Sequence, residues 1–235
     1  MLTKNWDNYV SAAEEVARTE GFRGLRDRII ALAEPRPSDV AVDLGAGTGL
    51  LTLALAERVE RLWAIDVSHA MVEYVATKVQ SASLGNVEVA TASVVSLPLV
   101  DESADLVVSN YCFHHLRERD KERALAEVAR VLRPGGRFVF GDMMFRIAVT
   151  NGRDRRILAD KVRALLSRGP SGVARLVKNG GRLAAGRWER PSRPDWWEAA
   201  LKRAGFVNVS VEQLDHEGGI GYGRRAYGPY AAASS

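Results

Sequence analysis

Val42-Asp43-Leu44-Gly45-Ala46-Gly47-Thr48-Gly49 ends a short apolar run, Val40 to Leu44, in three glycines at alternate positions. Such a run before a glycine cluster predicts a buried strand that turns sharply into a helix. Without Cβ atoms, Gly45, Gly47 and Gly49 let the backbone bend tightly and let a ligand approach main-chain atoms. The next apolar run, Leu62-Trp63-Ala64-Ile65, ends at Asp66, 17 residues beyond Gly49. A carboxylate at that place can accept from both hydroxyls of a ribose.

Outward from this stretch the chain alternates. Residues 5–33 carry a helical pattern (Val10, Ala13, Val16, Ala17, then Leu25, Ile29, Ile30, Leu32) with Gly21 and Gly24 between its halves. Pro35-Arg36-Pro37-Ser38 breaks it before the first strand. A helix with Leu51, Leu53, Leu55 and Ala56 follows the glycines, and a second runs from Ala70 to Val79. Strands are predicted at Val87-Glu88-Val89, at Asp105 to Ser109 and at Arg137 to Gly141. Before the last of these, the helix Lys121–Leu132 stops at Arg133-Pro134-Gly135-Gly136. Helix Asp195–Ala204, strand Phe206–Val211 and a final strand within 219–227 close the pattern. Strands alternating with helices of this length imply an α/β fold, a parallel sheet covered on both faces.

A glycine-rich turn also serves NAD proteins, but two details differ here. The third glycine comes one residue early for G-x-G-x-x-G, and Leu50 takes its place. Asp43, just before the turn, would repel a pyrophosphate and favour a cationic, phosphate-free ligand. S-adenosylmethionine, with a sulfonium and an ammonium, answers that description. An NAD-dependent oxidoreductase is the alternative.

VDLGAGTG at 42–49, AID at 64–66, LP at 97–98, DLVVSN and HHL within 105–116, and LRPGGR at 132–137 resemble class I methyltransferase motifs in their order. They are most similar to the branch containing the ubiquinone and menaquinone biosynthesis methyltransferases. The resemblance covers about 38–145 and, more loosely, 195–227, where AGF at 204–206 is typical. It implies a Rossmann-like sheet of seven strands, the last antiparallel, with helices on both faces. It further implies S-adenosylmethionine as donor, S-adenosylhomocysteine as product, and no metal. By position, Gly45, Ala46, Gly47 and Gly49 would line the donor, and Asp66 would hold its ribose. Val67 and Met71 would flank the adenine, and Asn110 would touch the methionine end. Trp6 or Tyr9 would close over the site. One departure stands out. Where the family commonly has Gly-Asp-Ala, this chain has Ala92-Ser93-Val94, so Ser93 offers only an uncharged acceptor, worth about half a charge-assisted bond. A module that binds the donor without turnover is a further alternative that this departure raises.

Methyl transfer is an in-line displacement, so the protein must align the nucleophile, exclude water and accept a proton where one is released. His114 and His115 are the candidate bases. An Asn-Pro-Pro-Tyr pattern is absent, the chain reading Asn110-Tyr111-Cys112-Phe113, which favours oxygen or carbon over nitrogen as the methylated atom. No spaced cluster accompanies His69, His114, His115 and His216, so no metal is expected. Cys112, the single cysteine, reads as a small apolar packer.

The 235 residues are 46% hydrophobic and 26% charged, enough for a real core. One cysteine excludes an internal disulfide, the polar start does not resemble a secretory leader, and no apolar run could span a bilayer. A cytoplasmic location is the expectation. The net charge of +4 is uneven: residues 146–193 hold thirteen Lys or Arg against three acids, while the remainder holds twenty against twenty-six. The expected organisation is a helical cap (1–37), a donor-binding core (38–145), a basic helical insertion (146–193) and a completing unit (194–230). Two helices are expected in the insertion, at 153–168 and 172–178, the first with Leu158, Val162, Leu165 and Leu166 on one face. The block reads as a solvated lid over a small-molecule or lipid-like substrate, or as a patch facing an anionic membrane. Nucleic acid is the least favoured partner, since no stacking platform accompanies the charge.

Overall fold

The computed structural model describes residues 6–144, 152–167, 169, 190–214 and 217–228. Seven strands form one sheet: β1 (Val40–Leu44), β2 (Arg61–Asp66), β3 (Val87–Thr91), β4 (Ala104–Asn110), β5 (Leu132–Met143), β6 (Phe206–Gln213) and β7 (Gly218–Arg225). Their order is β3-β2-β1-β4-β5-β7-β6. β1 to β5 pair in parallel and β7 runs antiparallel to both neighbours. The connections reverse direction between β1 and β4, which places a crevice beyond the carboxyl ends of those two strands. In register, Leu44 faces Ser109 and Asn110 faces Gly141. The residues that follow β1, β4 and β5 therefore meet at one mouth.

Alternation along the central strands sends side chains to opposite layers. Val107, Phe138 and Phe140 join Phe113, Leu125, Val128, Trp197 and Leu201 on one face. This layer is supplied by α5 (Glu118–Val131) and α7 (Pro194–Arg203). Leu106, Val108 and Val139 point the other way, onto α2 (Glu20–Ala33) and α3 (Leu50–Leu55), where Leu25, Ile29, Ile30, Leu51 and Leu55 are buried. α4 (His69–Ser81) packs Val75 and Val79 onto the same side.

The N-terminal helical stretch divides differently from the expectation. A 3-10 turn at Trp6–Tyr9 leads into α1 (Val10–Ala17), and the break lies at Arg18-Thr19, while Gly21 and Gly24 sit inside α2. Thr19 is extended (φ −68°, ψ 149°) as the N-cap of α2, and its hydroxyl donates to the Val16 carbonyl at 2.7 Å. Thr19 thus competes locally with the helix, the usual reason a Thr ends one. α1 buries no residue, and Val16 stays 43% exposed. Its contact with the body is polar: Glu14 pairs with Lys78 of α4 at 2.8 Å.

α6 (Gly152–Leu166) matches the first helix read in the basic block. On its apolar face Val162 is half-buried and Leu166 is 52% exposed. The rest of that face, the helix at 172–178 and most of the basic block lie outside the described residues.

Candidate functional site

The mouth is built first from backbone. Gly45, Gly47 and Gly49 have φ of 69°, 53° and 85°, the left-handed region that glycine reaches at no steric cost. The amides of Gly45 and Ala46 both donate to the Ile65 carbonyl, at 2.8 and 3.0 Å, and this ties the loop to the end of β2. A Cβ on Gly45 would stand 2.6 Å from Cys112 Sγ, so the approach of the two loops requires glycine there.

Asp66 is the pivot. Its Oδ2 accepts from the Gly47 amide and its Oδ1 from the Ser68 amide, both at 2.9 Å. Burial raises its pKa, and those amides act in the opposite sense. Each oxygen keeps a lone pair, which suits a ribose diol. Val67 is 59% exposed beside it, while Met71 is buried, its amide donating to Ser68 Oγ, the N-cap of α4. Of the two residues expected beside the adenine, Val67 is thus exposed and Met71 buried. Ser93 Oγ accepts from the Val95 amide at 3.4 Å, so part of its capacity is turned to its own chain; Val94 is buried in the core.

Asp43 does not open onto the mouth. It is 1% exposed, and its Oδ2 accepts from Thr52 Oγ1 of α3 at 2.6 Å. Burial pushes its pKa up to about 7, opposed by hydrogen bonds from Thr52. Its effect on a cationic ligand would act through the field. Asn110, at the end of β4, has a buried Oδ1 with no hydrogen-bond partner among the described residues. Buried polar atoms are nearly always satisfied, so an orphaned acceptor at a strand end marks a place for a donor group. Diol acceptor, glycine cradle and orphaned amide oxygen together fit the ribose and ammonium of S-adenosylmethionine.

On the β4–β5 side the structure brings together His114, His115 and Asp142. His114 Nδ1 lies 2.6 Å from Asp142 Oδ1, and the His114 amide donates to Asp142 Oδ2 at 3.1 Å. Asp142 is wholly buried and also accepts from the Met143 amide at 2.6 Å. Facing a carboxylate, Nδ1 is the donor, so that in the neutral ring Nε2 would be the acceptor. His115 is exposed; its ring lies 3.8 Å from that of His114 and 4.4 Å from Trp6. Tyr9, 41% exposed, reaches Trp6 edge-on at 5.9 Å, so Trp6 links it to the histidine loop. Cys112 is raised well above the usual thiol range by burial first, then by the charges of Asp66, Asp142 and Asp43. It packs as a neutral thiol. Among the described residues no group of three or more His, Cys, Asp or Glu is placed to hold a metal ion.

Two contributors escape a reading of the sequence. Asp142 follows the apolar run Phe138-Val139-Phe140-Gly141, and a strand-end acid there was the available signal. Asp7 accepts from Ser68 Oγ at 2.5 Å and from the Ala70 amide at 3.2 Å, which clasps the N-terminus onto the start of α4. Nothing in the spacing of residues 7 and 68 announces that contact.

Residues 42–140 match the family described as a methyltransferase domain. The chain is 33% identical over 143 residues to an uncharacterized methyltransferase of Geobacillus kaustophilus, covering 61% of this chain and 64% of that protein. It is 30% identical over 166 residues to one of Geobacillus thermodenitrificans, 71% of each. The crystal structure of a SAM-dependent methyltransferase from Aquifex aeolicus shares the fold, with a TM-score of 0.64 at 18% identity over 92% of this chain and 97% of that one. The chain thus spans about two thirds of the length of these curated relatives. On this identity and coverage, joined to the seven-stranded sheet and its mouth, the chain belongs to the methyltransferase-domain family.

Proposed function

We propose that this protein transfers a methyl group from S-adenosylmethionine to an oxygen or carbon of a small-molecule or lipid-like acceptor, with His114 receiving the proton. The observation that carries this reading is the His114–Asp142 pair, set across the mouth from the Asp66 loop. When bound, the donor supplies a methyl carbon already activated by sulfonium. Asp66 and the glycine loop would hold its ribose, and Asn110 its ammonium. Asp142 keeps the imidazole of His114 in one tautomer, so that Nε2 can take a proton from a hydroxyl or an acidic C–H as the methyl moves. An amine acceptor would not need so firmly oriented a base. Trp6 and Tyr9 would exclude water on closure.

The test has two arms. S-adenosylhomocysteine should raise the melting temperature and NADH should not, since only a ligand of the native state stabilises it. A labelled-donor screen of lysate fractions should then yield a product heavier by one methylene. Stabilisation by NADH alone would overturn the reading. Donor binding without any methylated product would favour the non-catalytic module.

The basic block at 146–193 supports a second element of the proposal, an acceptor met at an anionic membrane surface. Among the described residues no helix is long and apolar enough to cross a membrane, so any such contact would be peripheral. Sedimentation should show binding to anionic liposomes at low salt and none to neutral ones. Equal, negligible binding to both would end this element.

A further inference from the structure

Lys121 lies on the core-facing side of α5, in line with Ala124, Leu125 and Val128, and has no exposed surface. An ammonium in that place is costly unless its donors are satisfied. Here Nζ donates to the Arg190 carbonyl and, at 2.6 Å, to Ser192 Oγ. The rings of Trp196 and Trp197 lie 5.5 and 5.6 Å away. Arg190 and Ser192 belong to the stretch that enters α7 and the two tryptophans to the start of α7 itself, all far along the chain from Lys121. A methionine would fill the volume without the desolvation, so packing alone does not explain a lysine.

The same stretch is held from its other side. The Arg190 amide donates to the His114 carbonyl at 2.7 Å, so the two ends of residue 190 are fixed by His114 and by Lys121. The charged groups acting on Lys121 are Asp142 at the end of β5, Glu118 on its own helix and Arg190. One of these, Asp142, is the carboxylate that orients the His114 ring.

We infer that Lys121 is a positioning residue: its ammonium pins Arg190–Ser192 against the His114 loop and keeps a positive charge behind Asp142, so that the imidazole is held for proton transfer. The inference deepens the reading of His114 as the base and rests on it. Burial pushes the Lys121 pKa down to about 8, so its charge is lost within an accessible pH range.

The test uses the whole chain and two structural signals, the His114 Nδ1–H proton resonance and hydrogen exchange at the Arg190 amide. Lys121→Met should broaden the first and speed the second at least tenfold. Lys121→Arg, which retains charge and donors, should recover most of both. Ser192→Ala, which removes one acceptor and leaves the lysine, should speed Arg190 exchange by less. In the wild type, the Nδ1–H resonance should shift as pH passes through about 8. A folded Lys121→Met with unchanged signals would overturn the inference. Should that variant not fold, a Ser192→Ala variant whose Arg190 amide exchanges no faster than in the wild type would overturn it. None of these signals needs an acceptor, so a failed methylation screen would sink the functional reading, while these signals alone decide whether Lys121 positions the His114 loop.

Discussion

The loop after β1 and the loop after β4 meet at the same mouth but are made from different materials. The first is main chain: three left-handed glycines, with amides at Gly45 and Ala46 given to the Ile65 carbonyl and one at Gly47 given to Asp66. The second is side chain: Tyr111, His114 and His115, with Asp142 of β5 behind them and Trp6 leaning in. On the proposed reading, the main-chain loop, whose shape does not depend on side chains, would take the donor. The side-chain loop would meet the acceptor and its proton.

The largest effect that would test this division falls on chemistry. His114→Gln should lower turnover on the acceptor found by screening by about 10²–10⁴-fold, the usual worth of a positioned base. Asp142→Asn should lose part of that, and isothermal titration with S-adenosylhomocysteine should show donor affinity within about twofold of wild type for both. A variant that loses donor affinity instead would erase the distinction between the loops.

Gly45→Ala should be next. Its Cβ would meet Cys112 Sγ at 2.6 Å in a backbone conformation with φ of 69°. The cost should be about 2–4 kcal/mol of stability, from overpacking and strain together. Urea titration would measure it, and adding Cys112→Gly should return only the overpacking share. Full rescue would mean that φ at residue 45 is not constrained.

Asp66→Ala should weaken donor binding by about 1–3 kcal/mol, the range for a lost charged partner. It also orphans the Gly47 amide, so the melting temperature should fall as well. Unchanged affinity would remove Asp66 from the site.

The smallest effect concerns Asp43. Its folded-state pKa, about 7, lies above the unfolded value of 3.8. The folded state therefore binds the proton more tightly, and the stability this contributes is full below about pH 4 and lost as pH rises through 7. Asp43→Asn mimics the protonated form and keeps an acceptor for Thr52. Above pH 7 it should be more stable than wild type by on the order of 1 kcal/mol, with the gap closing toward pH 4. Donor affinity should fall modestly, since Asp43 acts on the cation by field alone. Parallel stability curves across that range would contradict the burial argument.

Period and punctuation carried most of the fold. Apolar runs ended by Gly45, Asp66 and Asn110 marked the ends of β1, β2 and β4 at the mouth, because a buried parallel strand needs apolar side chains on both faces and glycine or a polar residue where it surfaces; β5 runs two residues past the expected Gly141. Asp66 was legible for the same reason, since it ends the second strand; Val67 and Met71 were named only through the family resemblance. Two readings were incomplete. Asp43 reads as a group facing a ligand, yet it lies under α3, because Thr52, nine residues on, reaches it once the helix turns back. α1 reads as an amphipathic helix, yet its contact with the body is the Glu14–Lys78 pair, since a helix of eight residues at the rim has no sheet to cover.

By itself, the sequence determined the α/β alternation, the glycine loop, the acid that ends β2 and the family, all of which rest on residues close together in the chain. Only the tertiary structure decided that Asp142 orients His114, that Asp7 clasps Ser68, and that a buried Lys121 holds Arg190. Those pairs are separated by 28, 61 and 69 positions. Local propensity carries no information over such separations; the strand order of the sheet and the return of the chain through α7 bring them within hydrogen-bonding distance.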